Sequence, residues 1–363
     1  MSVRRSEGRR VLVARLDSMG DVLLTGPAVR AIAQEDSVTM LVGPGGRAAA
    51  ELLPGVQEVI TFTAPWIVLD PPAVDRAEID ALVSRLADGA FDRLLVFGSF
   101  HQSPLPLALL GRLAGIPWIG AHCEDYPGSL LDLRHRTPDE DVPEAERAMS
   151  LVRAAGYESG GSALSVRRPL PDTSHLTGPE SYVVVHPGAA VSARRPGPDH
   201  SRAIVSALVA EGHRVVVTGT AEEARLAAHV ADEDAANLAG RVDLAELADV
   251  LDRADVVVAP NTGPAHLAAA VGTPVVSLFA PVVSSVRWAP HGVPRVVLGD
   301  QTAACRGTRA RRCPVPGHPC LDGIDPYDVV EAVHRFTTRR VSIRSAAVPA
   351  PDPTPIPTPG GGR

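Results

Sequence analysis

Short runs of Val, Leu and Ile alternate along this chain with longer Ala- and Leu-rich stretches, and the alternation happens twice. A strand buried on both faces reads as a continuous apolar run. Parallel neighbours must be joined by a crossover, usually a helix, so the pattern specifies βα units on a mainly parallel sheet. The first set predicts strands at 11–16, 38–42, 56–62 and 94–97. Residues 157–180 then turn rich in Gly, Ser and Pro without periodicity, which suits a linker holding at most one short strand. The alternation restarts with strands expected at 182–186, 213–218, 255–259 and 274–279. A chain of 363 residues also exceeds what one hydrophobic core serves. Two α/β domains are expected, at 1–160 and 181–340, with a linker at 161–180. A Pro-rich tail at 341–363 is too poor in apolar residues to pack and is expected to be disordered.

The formal net charge of −7 argues against a general binder of phosphate backbones, so nucleic acid is not an expected partner. All 35 positive side chains are Arg and none is Lys, so any side-chain contact to phosphate must use a guanidinium. The first apolar run stops at Leu16, too short for a signal peptide, and no stretch reaches the ~18 apolar residues of a spanning helix. The cytoplasm is the expected compartment, and the four Cys fit a reducing one. Cys305, Cys313 and Cys320 cluster around His318, with gaps longer than the tight pairs of a zinc site, so metal is the weaker of two readings there. Cys123 stands alone and reads as structural. The triplets Asp139-Glu140-Asp141 and Asp232-Glu233-Asp234 lie in polar stretches and read as surface carboxylates. No metal and no cofactor is expected.

In open parallel sheets, ligands sit beyond the carboxyl ends of the strands, so the loops after strands carry the functional argument. The loop after the first strand, 16–21, has one glycine instead of G-x-G-x-x-G, which disfavours a dinucleotide-dependent oxidoreductase. Asp21 has two readings there: a helix cap that suits the macrodipole, or a general base facing a cleft beside Gly20. Pro27 fits the following helix if it falls in the first turn, and otherwise bends it. The segment from His186-Pro187-Gly188 to Arg194-Arg195 joins small residues to two guanidinium groups, a plausible anion clamp or a pair of solvated charges. Asn261-Thr262-Gly263-Pro264 opens an Ala-rich helix whose free N–H groups suit a phosphate, or is an ordinary capped turn with His266 packed behind it. Arg287-Trp288 reads as a loop anchor in preference to a wall of the cleft.

Three stretches in this order carry a resemblance: V-L-V-A-R-L-D-S-M-G-D-V-L-L-T-G-P-A-V-R-A-I, V-V-H-P-G-A, and N-T-G-P-A-H-L-A-A-A-V-G-T-P-V-V-S-L-F-A-P. Together they resemble glycosyltransferase family 9, the heptosyltransferase family, across roughly residues 11–336. The resemblance implies an α/β fold of GT-B architecture, two Rossmann-like domains facing a central cleft. The acceptor would lie mainly on the first domain and the nucleotide-sugar donor on the second, with inverting transfer and no essential metal. Asp21 aligns with the family's proposed catalytic Asp, and Ser18, Met19 and Gly20 fall on the acceptor side. Arg194 occupies a position usually held by a diphosphate-contacting Lys, while Thr262, Gly263 and His266 match the donor-phosphate loop. His186, Pro187, Gly188, Arg195 and Asn261 complete the donor segments.

The implied partners are a nucleotide sugar, ADP-linked heptose or a relative, and a glycan or glycosylated small-molecule acceptor. A glycolipid acceptor would bring the protein to a membrane surface. The sequence departs from the family where Asn261 replaces Asp, Pro196 replaces an aromatic and Ala280 replaces Gly, which bears on sugar identity more than on catalysis. The competing readings are a non-catalytic sugar-nucleotide binding protein and, behind it, a Rossmann-type oxidoreductase. An acidic residue at position 21 favours catalysis, since binding a neutral acceptor needs no base.

Overall fold

A computed structural model describes residues 8–345 apart from 69, 100, 138–140 and 159. One sheet holds β1 (Arg10–Arg15), β2 (Ser37–Val42), β3 (Val56–Thr61), β4 (Arg93–Phe97), β5 (Trp118–His122) and β6 (Leu133–His135). Its strands are parallel, in the order β3-β2-β1-β4-β5-β6. The other holds β7 (Val183–Val185), β8 (Val215–Val217), β9 (Ala236–Asn237), β10 (Val256–Pro260), β11 (Val275–Leu278) and β12 (Arg295–Leu298), parallel in the order β12-β11-β10-β7-β8-β9. Counted from its own first strand, each sheet has the order 3-2-1-4-5-6 of the doubly wound nucleotide folds. Winding therefore reverses between β1 and β4 and between β7 and β10, where crevices open at the strand ends.

The helices are α1 (Met19–Ile32), α2 (Arg47–Leu52), α3 (Arg76–Asp88), α4 (Leu105–Leu113), α5 (Glu144–Ala154), α6 (Ser174–Thr177) and α7 (Pro198–Ala210). They continue with α8 (Ala224–Ala231), α9 (Leu244–Arg253), α10 (Gly263–Val271), α11 (Ser285–Trp288), α12 (Pro319–Asp322) and α13 (Pro326–Ser345). The central strands β1 and β10 are largely apolar because helices cover both their faces, whereas edge strand β3 is exposed at half of its positions. Helix α1 is buried over nearly its whole surface, because it packs on its own sheet, on α5 and, across the boundary between the sheets, on α10. One continuous apolar cluster accordingly runs from Leu23 and Val29 through Met149 to Leu251 and Leu267. Each fully buried Leu or Val of this kind contributes about 1.5–3 kcal/mol.

The structure adds four strands that the apolar runs do not announce. Strand β5 carries Gly120 and His122, β6 and β9 are three and two residues long, and β12 is only half buried. Within the expected linker the regular element is helix α6 and not a strand. Pro27 falls past the first turn of α1, where it withholds a donor from the helix. Helix α13 runs to Ser345, past residue 341 where the tail was expected to begin; the remainder of that segment lies outside the described residues. Among the described residues no helix is long and apolar enough to cross a membrane.

Candidate functional site

Strand β1 ends on Arg15, in register with Val42 and Phe97, so the guanidinium emerges where the first sheet reverses its winding. It is 3% exposed, and one nitrogen reaches Asp17 Oδ2 at 2.8 Å, Asp21 Oδ1 at 3.0 Å and Ser99 Oγ at 3.3 Å. The other Asp21 oxygen accepts from Ser18 N at 3.2 Å and Ser18 Oγ at 2.7 Å, which ties the carboxylate to the start of α1. Both readings of Asp21 thus coincide geometrically: it reaches back to the cap residue and remains at the cleft, 14% exposed. Burial pushes the Asp17 carboxyl above the usual range, opposed by Arg15, while Gln102 Nε2 donates to it at 2.5 Å.

Behind Arg15 lies Glu144 at the start of α5, almost wholly buried, with Arg147 at 3.6 Å and Arg15 and Arg287 each at 4.0 Å. Burial raises its pKa, and the three guanidinium groups act against that rise. Arg287 comes from α11, next to the second sheet, so this charge cluster bridges the two halves. Asp141 joins it, accepting from Ser284 Oγ at 2.7 Å.

The opposite wall is the start of α10. A Cβ on Gly20 would lie 2.9 Å from His266 Cδ2 and one on Gly263 2.0 Å from Met19 Cε, so glycine at both positions lets α1 and α10 meet end to end. His266 is fully enclosed. Burial lowers its pKa to about 4, with Asp21 opposing and Arg194 assisting, so the imidazole is neutral near pH 7. Its Nδ1 is buried with no hydrogen-bond partner among the described residues. Burial also lowers the Arg194 pKa, Asp21 opposing it. Thr262 caps α10 without a side-chain bond, and the helix start leaves free N–H groups beside Asn261, whose Nδ2 is likewise buried and unpartnered.

Ser18, Met19, Gly20 and Asp21 therefore meet Gly263, His266 and the charge of Arg194 across one cleft. Of the arginine pair, it is Arg194 whose charge acts on this cleft. Pro187 and Gly188 are buried beyond β7, beside buried His186. It touches Thr218 at 3.1 Å and Glu223 at 3.8 Å, and burial lowers its pKa to about 4. Arg15, Asp17, Ser99 and Glu144 escape sequence reasoning. The available signal is the charge that closes the buried stretch V-L-V-A-R of the first strand. Arg287 is a buried ion-pair partner of Asp141 and Glu144, so the loop anchor expected there is held by charge.

Burial raises the Cys320 thiol to about 12, with Cys305 and Cys313 nearby. No group of three or more His, Cys, Asp or Glu among the described residues is placed to hold a metal. Asp139 and Glu140 lie outside the described residues, while Asp232 pairs with Arg202 on the surface.

The sequence model for "Glycosyltransferase family 9 (heptosyltransferase)" matches residues 79–317. That span starts beyond Asp21, so the match is independent of the β1–α1 loop. Lipopolysaccharide heptosyltransferase 3 of Escherichia coli is 31% identical over 125 residues, 33% of this chain and 36% of that protein. The chain thus aligns with about a third of that curated relative. The structure of E. coli ADP-heptose LPS heptosyltransferase II superposes with a TM-score of 0.71 at 20% identity, covering 92% of this chain and 99% of that one. A family 9 glycosyltransferase from Veillonella parvula gives 0.73 at 16% identity, covering 91% and 97%. These likenesses give the fold: two doubly wound domains in the GT-B arrangement.

Proposed function

The chain belongs to glycosyltransferase family 9, and from that premise we propose that it is an inverting, metal-independent glycosyltransferase. It moves a heptose or a close relative from an ADP-linked donor to a hydroxyl of a glycan or glycosylated small molecule. The observation that carries this reading is Asp21, fixed 3.0 Å from Arg15 and electrostatically coupled to Arg194 and neutral His266 on the opposite wall. A carboxylate so held accepts the proton of the acceptor hydroxyl as its oxygen attacks the anomeric carbon, a role that contributes ~10² to 10⁴ in rate. One displacement, with the bond to the diphosphate breaking on the far side, inverts the centre. The charge that accumulates on the leaving diphosphate is met by Arg194 and by the N–H groups at Thr262 and Gly263, so electrostatic stabilisation needs no cation from solution.

The donor class follows from the named relatives, which act on ADP-heptose and lipopolysaccharide. Asn261 in place of Asp offers an amide donor where a carboxylate would accept, so the sugar bound here is a relative of heptose as readily as heptose itself. The first domain takes the acceptor through Ser18, Met19 and Gly20, and the second takes the donor. A glycolipid acceptor would bring this cytoplasmic protein to the membrane surface.

A thermal-shift series against ADP, UDP and GDP, each paired with its nucleoside, tests the donor assignment. ADP at a hundred times its Kd adds about 2.7 kcal/mol of stability. Stabilisation by no nucleoside diphosphate would overturn the reading, and the anomeric configuration of the product, read by proton NMR, tests inversion.

A further inference from the structure

A hollow opens beside the charge network of Asp21, at the carboxyl ends of β1, β4 and β5 and against the start of α4. Ala14, Leu16, Val96 and Leu107 line its inner side, and half-buried Trp66 and Ile67 line it from the loop after β3. It encloses about 360 Å³ counted to its open mouth, yet little of that is wider than a water molecule, a slot that suits a flat ring entering edgewise.

The polar side chains around the hollow are already matched within the protein. Gln102 donates from Nε2 to Asp17 at 2.5 Å and accepts from Ser99 N at 2.9 Å, and Ser103 Oγ donates to Asp125 at 2.8 Å. His122 Nε2 donates to Arg147 O at 2.8 Å, and burial lowers its pKa to about 2, so the ring carries no charge near pH 7. Among the described residues no lining side chain has a buried polar atom without a partner. A sugar hydroxyl entering here would give up its water and find little in exchange, whereas an apolar group gains by leaving water. Two contacts connect the hollow to the chemistry. Leu16 sits between Arg15 and Asp17, and Gln102 holds the Asp17 carboxylate, which shares one nitrogen of Arg15 with Asp21. The geometry points to an acceptor subsite for an apolar ring, so that the molecule glycosylated carries a flat aglycone close to its reacting hydroxyl. Trp66 supplies an aromatic wall for that ring. The inference rests on the transferase reading and narrows its acceptor to a glycoside with an aromatic aglycone.

4-Fluorophenol, followed by fluorine NMR, probes the hollow without knowledge of the sugar, and ADP calorimetry on the same samples reports the donor site separately. Trp66→Ala removes one wall at a half-buried loop position, and Ala14→Val fills the inner side; thermal melts show whether each is folded. In both, 4-fluorophenol affinity falls at least fivefold while ADP affinity stays within twofold of the parent. In transfer assays with methyl, phenyl and octyl glucosides and mannosides, kcat/KM is at least tenfold higher for phenyl than for methyl, and Trp66→Ala brings that ratio close to one. A preference for octyl over phenyl would put an alkyl chain in place of the ring and overturn the proposal. Parental 4-fluorophenol affinity in the folded variants, or no binding to the unmodified protein, would remove the subsite and leave the transferase reading standing. Absence of ADP binding by the unmodified protein would take down that reading and the acceptor role with it.

Discussion

On the N-terminal wall of the cleft the polar groups are engaged with one another: Arg15 reaches Asp17, Asp21 and Ser99, and Glu144 sits among three arginines. On the C-terminal wall Nε of Arg194, Nδ1 of His266 and Nδ2 of Asn261 are buried with no hydrogen-bond partner among the described residues; Nε of Arg15 and Oε1 of Glu144 on the facing wall are too, but there the same side chains are held by ion pairs. A buried polar atom left unmatched costs about 1–3 kcal/mol, a cost natural cores avoid unless a ligand supplies the partner. One wall is therefore knit by ion pairs that hold a carboxylate in place, while Arg194, His266 and Asn261 on the other are left to something that binds.

The largest effect is expected on the engaged wall. Arg15→Met leaves Asp17, Asp21 and Glu144 without their shared counter-charge, and breaking a buried pair in this way costs about 3–5 kcal/mol. Urea denaturation measures it; a loss below 1 kcal/mol would show that water already reaches these carboxylates. On the open wall, Arg194→Ala should cost about 1.5–3 kcal/mol of ADP affinity and almost none of adenosine affinity, while folding stability hardly moves. Equal losses for the two ligands would make Arg194 a shaper of its loop, and a larger ADP-specific loss in Arg195→Ala would transfer the role to its neighbour.

Acid should act with opposite sign on the buried imidazoles and the buried carboxylates. His186 and His266 have folded pKa values of about 4, below the ordinary 6.5. As pH falls the unfolded chain takes these protons first, so their contribution is present above 6.5 and lost between 6.5 and about 4, at up to about 1.4 kcal/mol per pH unit each. Asp17 and Glu144, whose values are raised, run the other way, contributing most below their unfolded pKa and least above the folded one. Melting temperatures from pH 8 to pH 4 should fall less steeply in His266→Gln than in the parent; parallel curves would mean the imidazole is solvated. The smallest effect is none: prolonged EDTA dialysis should leave transfer intact, and a loss that magnesium or manganese restores would break the assignment of leaving-group charge to Arg194 and α10.

Much of the fold was legible because its central strands are covered on both faces, so β1, β2, β10 and β11 appear as largely apolar runs. The strands that escaped are short or only half buried, and a two-residue strand such as β9 has no periodicity to read. For the site, the rule that ligands gather past strand ends leads to Asp21, Arg194 and His266, which do share one cleft. Their partners were hidden by distance along the chain. Arg15 and Ser99 are 84 positions apart, and Glu144 gives no local hint of burial, since an acidic residue opening a helix ordinarily caps it in solvent. The Arg287-Trp288 segment reads as an anchor from its sequence, but the ion-pair partners that hold it lie in the other half of the chain and have no local signal.

The division of labour between the walls is tested most directly in Asp21→Asn, which keeps the size of the side chain and removes only its charge. ADP affinity by calorimetry and the single-turnover rate of sugar transfer should be measured on the same preparation. The account predicts ADP binding within about twofold of the parent and transfer slowed at least ~10²-fold. Near-parental transfer would reduce Asp21 to a helix cap, and a parallel loss of ADP affinity would show that the two walls are not separate in function.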